Sequence, residues 1–221
     1  LQSRFPLGVS MKVAVLKEMF PGEDRVALIP ANVPQLAKLG MEVVVEPGAG
    51  AASGFSDADY VAKGASLAAD RDEAFSADIV LQIRSLGMNP DAGRDDLERI
   101  REGQMVIGMC DPLGSPEAIQ EMAGRGCTQF ALELIPRITR GQAMDVLSSQ
   151  ATIAGYRAVL TAAQELHKMF PMMMTAAGTL SPAKAFIIGA GVAGLQAIAT
   201  AKRLGAIVHA YDVRPAVREQ C

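Results

Sequence analysis

The sequence predicts an α/β protein of two doubly wound parallel-sheet domains, the second carried only through its first βαβ unit. Three observations predict it. Short β-branched apolar runs alternate with segments whose apolar residues recur at helical spacing. Those runs are apolar throughout rather than at every second position, the pattern of strands covered on both faces. Near the end of the chain, a glycine-rich loop joins one such run to a helix.

The elements follow in order. Residues 11–16 (MKVAVL) read as the first strand. Residues 30–39 read as a helix with Val33, Leu36, Ala37 and Leu39 as its apolar positions and Gly40 as its stop. Residues 41–45 form a second strand, ended by Pro47 and Gly48, and 57–63 a short helix before Gly64. Third and fourth strands lie at 78–83 (DIVLQI) and 104–109 (QMVIGM). Ser115 caps a helix through about 123, which Gly124 and Gly126 end, and 128–134 is a fifth strand. A long helix follows, capped by Ser148 or Ser149 and stopped by Pro171, with Ile153, Tyr156, Leu160 and Ala163 on its apolar stripe. Residues 171–182 (PMMMTAAGTLSP) read as a connector. Then come a strand at 185–188, a helix at 195–204 and a strand at 207–211. The domains are therefore read as 1–10, an upstream segment; 11–147, an N-terminal α/β domain; 148–170, a linking helix; and 171–221, half of a second Rossmann-like domain. Such a half-sheet leaves an apolar edge and face to be covered by further chain or by a partner.

Composition excludes several classes of function. The chain has 221 residues and a net charge of −3, with no run of Lys or Arg, so it carries no basic footprint for nucleic acid. Trp is absent, which removes the strongest base-stacking side chain. Cys110, Cys127 and Cys221 match no zinc or redox spacing and read as free thiols of a reducing compartment. The two histidines do not cluster with Cys or carboxylates, so no metal site is expected. His209 sits mid-strand among apolar neighbours and reads as a packed or hydrogen-bonded residue rather than a catalyst, and His167 as a partner of the long helix's C-terminal dipole. Residues 185–201 are uncharged, but they fall short of a membrane span and split into strand and helix. Any membrane therefore belongs to a partner.

The loop 189–194 (GAGVAG) supplies the chemistry. Gly189 permits a tight turn, Gly191 lets backbone approach a pyrophosphate, and Gly194 lets helix and strand pack closely. The free N–H groups and positive end of the helix then face the phosphates. Asp212 ends the next strand, where a carboxylate accepts hydrogen bonds from both hydroxyls of an adenosine ribose and repels a 2′-phosphate. This favours NAD(H) over NADP(H), although Arg214, two residues on, is a group that could pair with a phosphate.

Several longer stretches carry a resemblance. Residues 17–30 (KEMFPGEDRVALIP) resemble the N-terminal motif shared by alanine dehydrogenases and the NAD(H)-binding domain of proton-translocating nicotinamide nucleotide transhydrogenases. Residues 46–50 (EPGAG), with Phe55, Ser56, Asp57 and Tyr60, are similar to that family's next stretch. Residues 133–140 (ELIPRITR) with Gln142, Asp145 and Ser148 resemble the transhydrogenase loop named for its Arg, Gln and Asp, and 171–179 (PMMMTAAGT) is also transhydrogenase-like. Alanine dehydrogenases place a His just after the fourth strand as proton acceptor; here 108–112 reads GMCDP. Arg25, which holds the substrate carboxylate in those enzymes, fits either branch.

The resemblance implies a Si-specific/Re-specific NAD(P)+ transhydrogenase component: direct hydride transfer between NADH and NADP+, coupled to proton translocation. Such a site positions two rings and needs no acid or base. Arg137, Gln142, Asp145 and Ser148, with Ile138, Thr139 and Arg140, would surround the nicotinamide end, Arg137, Gln142 and Asp145 positioning the ring. The three-residue spacing of Gln142, Asp145 and Ser148 would put them on one side of a helical turn. Val192, Asp212, Val213 and Arg214 would line the adenosine side. The implied partners are a domain carrying NADP(H), a proton-conducting membrane domain and a second copy of the chain. The implied location is cytoplasmic, peripheral to the inner membrane through those partner subunits. A loop that closes over the nicotinamide would lie beyond Cys221, so this chain alone should bind NAD(H) weakly and turn over little. Competing readings are an alanine-dehydrogenase-like enzyme and an NAD-binding module without activity.

Overall fold

The computed structural model describes residues 10–221; residues 1–9, the bulk of the segment read as upstream, lie outside the described residues. The chain divides into two compact units, the first ending at Ile135 and the second running from Pro136 to Cys221.

The first unit contains β1 (Met11–Val15), α1 (Val33–Lys38), β2 (Met41–Val45), α2 (Asp57–Val61), β3 (Ser66–Leu67), α3 (Arg71–Phe75), β4 (Ile79–Arg84), α4 (Ala92–Arg99), β5 (Met105–Met109), α5 (Pro116–Gly124) and β6 (Thr128–Ala131). Its six strands are all parallel, in the order β3-β2-β1-β4-β5-β6. The order reverses at β1 and β4, the kind of switch point at which doubly wound sheets hold ligands. Successive β1 side chains feed opposite layers. Ala14 and Leu16 pack with Val80 and Val106, whereas Val15 packs with Val43, Val45 and Tyr60. That is why the strand is apolar throughout.

Three elements are absent from the sequence reading: β3, α3 and α4. The helix expected from Pro30 opens as a 3-10 turn (Pro30–Asn32) and becomes α-helical only at Val33. The fifth expected strand stops at Ala131, because the chain turns so that Glu133 can accept the Cys110 and Asp111 amides at the end of β5 (2.8 and 2.5 Å). Much of the 46–60 stretch holds the fold. Ser56 and Asp59 cap α2 reciprocally, Asp57 accepts from the Gly48 amide, and the Tyr60 hydroxyl donates to the Leu28 carbonyl at 2.8 Å.

The second unit contains a 3-10 segment (Thr139–Met144), α6 (Val146–Glu165), β7 (Met173–Thr175), β8 (Gly178–Leu180), β9 (Lys184–Ile188), α7 (Val192–Arg203) and β10 (Ile207–Tyr211). β9 and β10 pair in parallel, and β7 and β8 form an antiparallel hairpin where the sequence suggested a plain connector. Val159 of α6 and Ala197 and Ala201 of α7 form the core with Ala183, and Ala185, Ile187 and Val208 of the strands pack against it. The other face of the strands, with Phe186, Ile188 and Tyr211, is exposed. His209 lies on that exposed face, which sets aside the packed alternative of its reading. The cap of α6 is Asp145, not Ser148 or Ser149, and the helix ends at Glu165, so that Phe170 can turn into the core. His167 lies past that end.

Candidate functional site

Two groups of residues in the second unit carry polar chemistry. The first lies between β9 and α7. Gly189 has φ +92°, a left-handed conformation that suits glycine. Its N–H donates to the Tyr211 carbonyl at 2.7 Å, tying the loop to the end of β10. A Cβ on Gly194 would collide with the Gly189 carbonyl oxygen, so the third glycine lets the helix sit on the strand end. A Cβ on Gly191 would meet nothing nearer than Arg214 Nη2 at 4.0 Å, which leaves its backbone approachable from outside. Gly191 is the N-cap of α7 and offers no side chain to the first-turn amides. These amides and the helix's positive end suit an anion.

Asp212 completes this group. Its Oδ2 accepts from the Ala190 amide of the loop at 2.7 Å, and its Oδ1 from the Arg214 amide at 2.8 Å. The Arg214 guanidinium reaches both oxygens at 3.0 Å. The Arg214 side chain, then its amide and that of Ala190, hold the Asp212 carboxyl far below the usual carboxylate range. Asp212 is thus ionised and aimed at the glycine loop. A cleft of about 340 Å³ opens beside it, lined by Ala190, Ala210, Tyr211, Arg214 and Pro215 among others. Val192, the first residue of α7, and Val213, next to Asp212, are both exposed.

The second group lies at the start of α6. The Asp145 carboxylate accepts the Ser148 amide at 2.9 Å and the Ser148 hydroxyl at 2.7 Å. Those bonds, with the charge of Arg137 nearby, hold Asp145 below the ordinary carboxylate value. Arg137, Ile138, Thr139, Arg140 and Gln142 are all exposed. Gln142 belongs to the 3-10 segment, Asp145 is a cap and Ser148 is in the α-helix. The three therefore share no single helical turn, contrary to what their spacing suggested. The structure brings Asp145, Ser148 and the charge of Arg137 together, and separately Ala190, Asp212 and Arg214. The Ala190 amide bond to Asp212 was missed by the sequence reading, since a backbone donor leaves no residue-type signal.

The carboxyl ends of the first unit's strands look different. A register shift in β4 frees the Ile83 and Arg84 amides, and the Glu18 carboxylate accepts both (2.6 and 3.2 Å). Burial, opposed by those bonds and aided by the Glu23 charge, pushes Glu18 up to about 7. Glu23 takes a two-bonded Arg25 guanidinium and Arg84, and is lowered to about 2, chiefly by Arg25. Glu46 accepts the Lys17 amide and Arg71, which also pairs with Asp96. Cys110, in the 108–112 stretch that lacks the His expected of an alanine dehydrogenase, is buried, and burial ahead of the Glu133 and Asp111 charges pushes its thiol up to about 12. It cannot serve as a base near neutrality. Among the described residues no three His, Cys, Asp or Glu side chains group to hold a metal ion, and no helix is long and apolar enough to cross a membrane.

Comparison with known proteins places these features. The alanine dehydrogenase/PNT N-terminal domain matches residues 14–154, and the C-terminal domain of the same name matches 158–221. The first part of the NAD(P) transhydrogenase alpha subunit of Rhodospirillum rubrum is 48% identical over 211 residues, covering 95% of this chain and 55% of that protein. The crystal structure of transhydrogenase from Sinorhizobium meliloti superposes with a TM-score of 0.89 at 53% identity, over 95% of this chain and 61% of that one. Alanine dehydrogenase of Bacillus subtilis is 31% identical over 206 residues, 92% of this chain and 52% of that protein. The chain thus spans about half the length of the curated relatives it matches. With its parallel sheet, glycine loop and acidic strand end, the chain belongs to the alanine dehydrogenase/PNT family.

Proposed function

We propose that this chain is the NAD(H)-binding component of a proton-translocating NAD(P)+ transhydrogenase. The observation that carries the reading is the uncapped first turn of α7 behind an open Gly191, with the ionised Asp212 carboxylate tethered to the same loop. Nearly half identity to a protein named as a portion of an NAD(P) transhydrogenase alpha subunit supports the specific reaction. The residues present fit a dinucleotide. The loop amides would hold its pyrophosphate, and Asp212 its adenosine ribose, once Arg214 yields its place on the carboxylate. Val192 and Val213 would flank the adenosine, with the Arg214 guanidinium near the phosphates.

Arg137, Gln142, Asp145 and Ser148, with Ile138, Thr139 and Arg140 beside them, would orient the nicotinamide carboxamide and its ribose. Asp145, held ionised, acts as a fixed acceptor and moves no proton. NADH, when bound, supplies a hydride from its nicotinamide ring. The chain's own task is to hold that ring in line with a second one and to exclude water. NADP(H) would sit on a partner domain, protons would pass through a membrane domain, and the NAD(H) component would work as a homodimer at the cytoplasmic face of that assembly. An alanine-dehydrogenase chemistry finds no support in the 108–112 stretch, which holds no His and whose Cys110 thiol is pushed up by burial.

The test mixes the intact protein with an NADP(H)-binding partner domain and follows reduction of an NADP+ analogue by NADH. Hydride transfer that requires both components is the expected result. Oxidation of NADH by pyruvate and ammonia, with no partner-dependent transfer, would overturn the reading.

A further inference from the structure

We infer that Gly155 is a positioning residue that sets the spacing between the two halves of the proposed NAD(H) site. The inference rests on that site and adds what aligns its halves. Gly155 lies buried in the middle of α6, where glycine is a poor helix former, and no turn or positive φ calls for it. A Cβ there would overlap the backbone of Ala193, at its carbonyl oxygen, its carbonyl carbon and its Cα. Ala193 belongs to the first turn of α7, whose amides are proposed to hold the pyrophosphate. Gly194, the next residue, seats that turn against the Gly189 carbonyl at the end of β9.

Two glycine contacts therefore act in series. Gly194 fixes α7 on the strand that leads to the loop, and Gly155 fixes α6 on α7. Ser148 and Asp145 lie two to three helical turns before Gly155, about 10–15 Å along the α6 axis. A shift of α6 would leave the loop, Asp212 and the adenosine half intact, yet move Asp145 and Ser148 away from where the nicotinamide must lie.

The experiment measures AMP and NADH affinity of the intact protein by calorimetry, for wild type and Gly155→Ala, alongside a thermal melt. A second variant, Ala197→Val, widens the same helix crossing from the α7 side, where Ala197 packs in one buried cluster with Val159; it serves if Gly155→Ala does not fold. The expected result is a split. AMP affinity stays within about twofold, while NADH affinity and partner-dependent turnover fall about tenfold or more, because displacement of a positioning group by an ångström is costly. Equal loss of AMP and NADH binding, or no change in either, would overturn the positioning role. Wild-type protein that binds neither ligand would instead overturn the NAD(H) reading on which it rests.

Discussion

β1 and β9 each open a parallel strand–helix–strand unit, and the chain finishes the two strands in opposite ways. After β1, no α-helix begins until α1 at Val33, and the residues that follow the strand turn to carboxyl groups: the Lys17 amide donates to Glu46, while Glu18 itself accepts the Ile83 and Arg84 amides of neighbouring β4. After β9, three residues lead straight into α7, whose first turn has no side-chain cap. One strand end is closed by the chain's own carboxyl groups. The other gives its Ala190 amide to Asp212 but leaves the first-turn amides of α7 without a side-chain cap, open to an anion from outside. Parallel sheets make both outcomes available at the same place, and the residues that follow the strand decide between them: Glu in the first case, Gly in the second.

The largest expected effect breaks the open end. Gly191→Val should lower NADH affinity about a hundredfold, the loss of roughly two charge-assisted hydrogen bonds. The melting temperature should fall by no more than roughly a few degrees, the cost of a Val at the N-cap, since a Cβ at Gly191 meets nothing nearer than Arg214 Nη2 at 4.0 Å. Next, Asp212→Asn should weaken NADH binding about tenfold and reduce discrimination against NADPH, read by parallel titrations with the two nucleotides.

The closed end gives a pH signature instead. The Glu18 carboxyl keeps its proton in the folded protein up to about pH 7, against an ordinary value of 4.5. Folding therefore takes up a proton in that window, and stability from this group falls as pH rises from about 4.5 to about 7. Glu23, lowered to about 2, has the opposite sign: its contribution is complete above about 4.5 and is lost as pH falls through about 2. Glu18→Gln should flatten the decline between pH 4.5 and 7 in urea midpoints while leaving NADH affinity unchanged; a wild-type decline that persists in the variant would contradict this origin. The smallest effect belongs to the α6 cap. Asp145→Ala should lower the melting temperature by roughly a few degrees.

The open end was the more legible in the sequence. β10 falls where its apolar run put it, and β9 begins one residue earlier than read. α7 starts three residues before the expected Leu195, because Gly191 is itself the cap. The closed end was harder to read because its stabilising groups are charged. α4 turns Asp96 inward to meet Arg71 and Gln82, so its buried face mixes a carboxylate and Gly93 with Leu97 and shows little apolar signal. β3 is a two-residue edge strand, too short to show alternation. The β7–β8 hairpin is exposed on both strands, so burial leaves no pattern there. Gly155 stood in a helical run with nothing in its neighbours to show that another helix's backbone crosses it.

The most direct test is an equilibrium titration of the intact protein with NADH, run side by side with Gly191→Val. The predicted result is a saturable signal for wild type that the variant loses while keeping its fold. No saturable signal from wild type, or equal binding by the variant, would contradict an open, anion-holding first turn of α7.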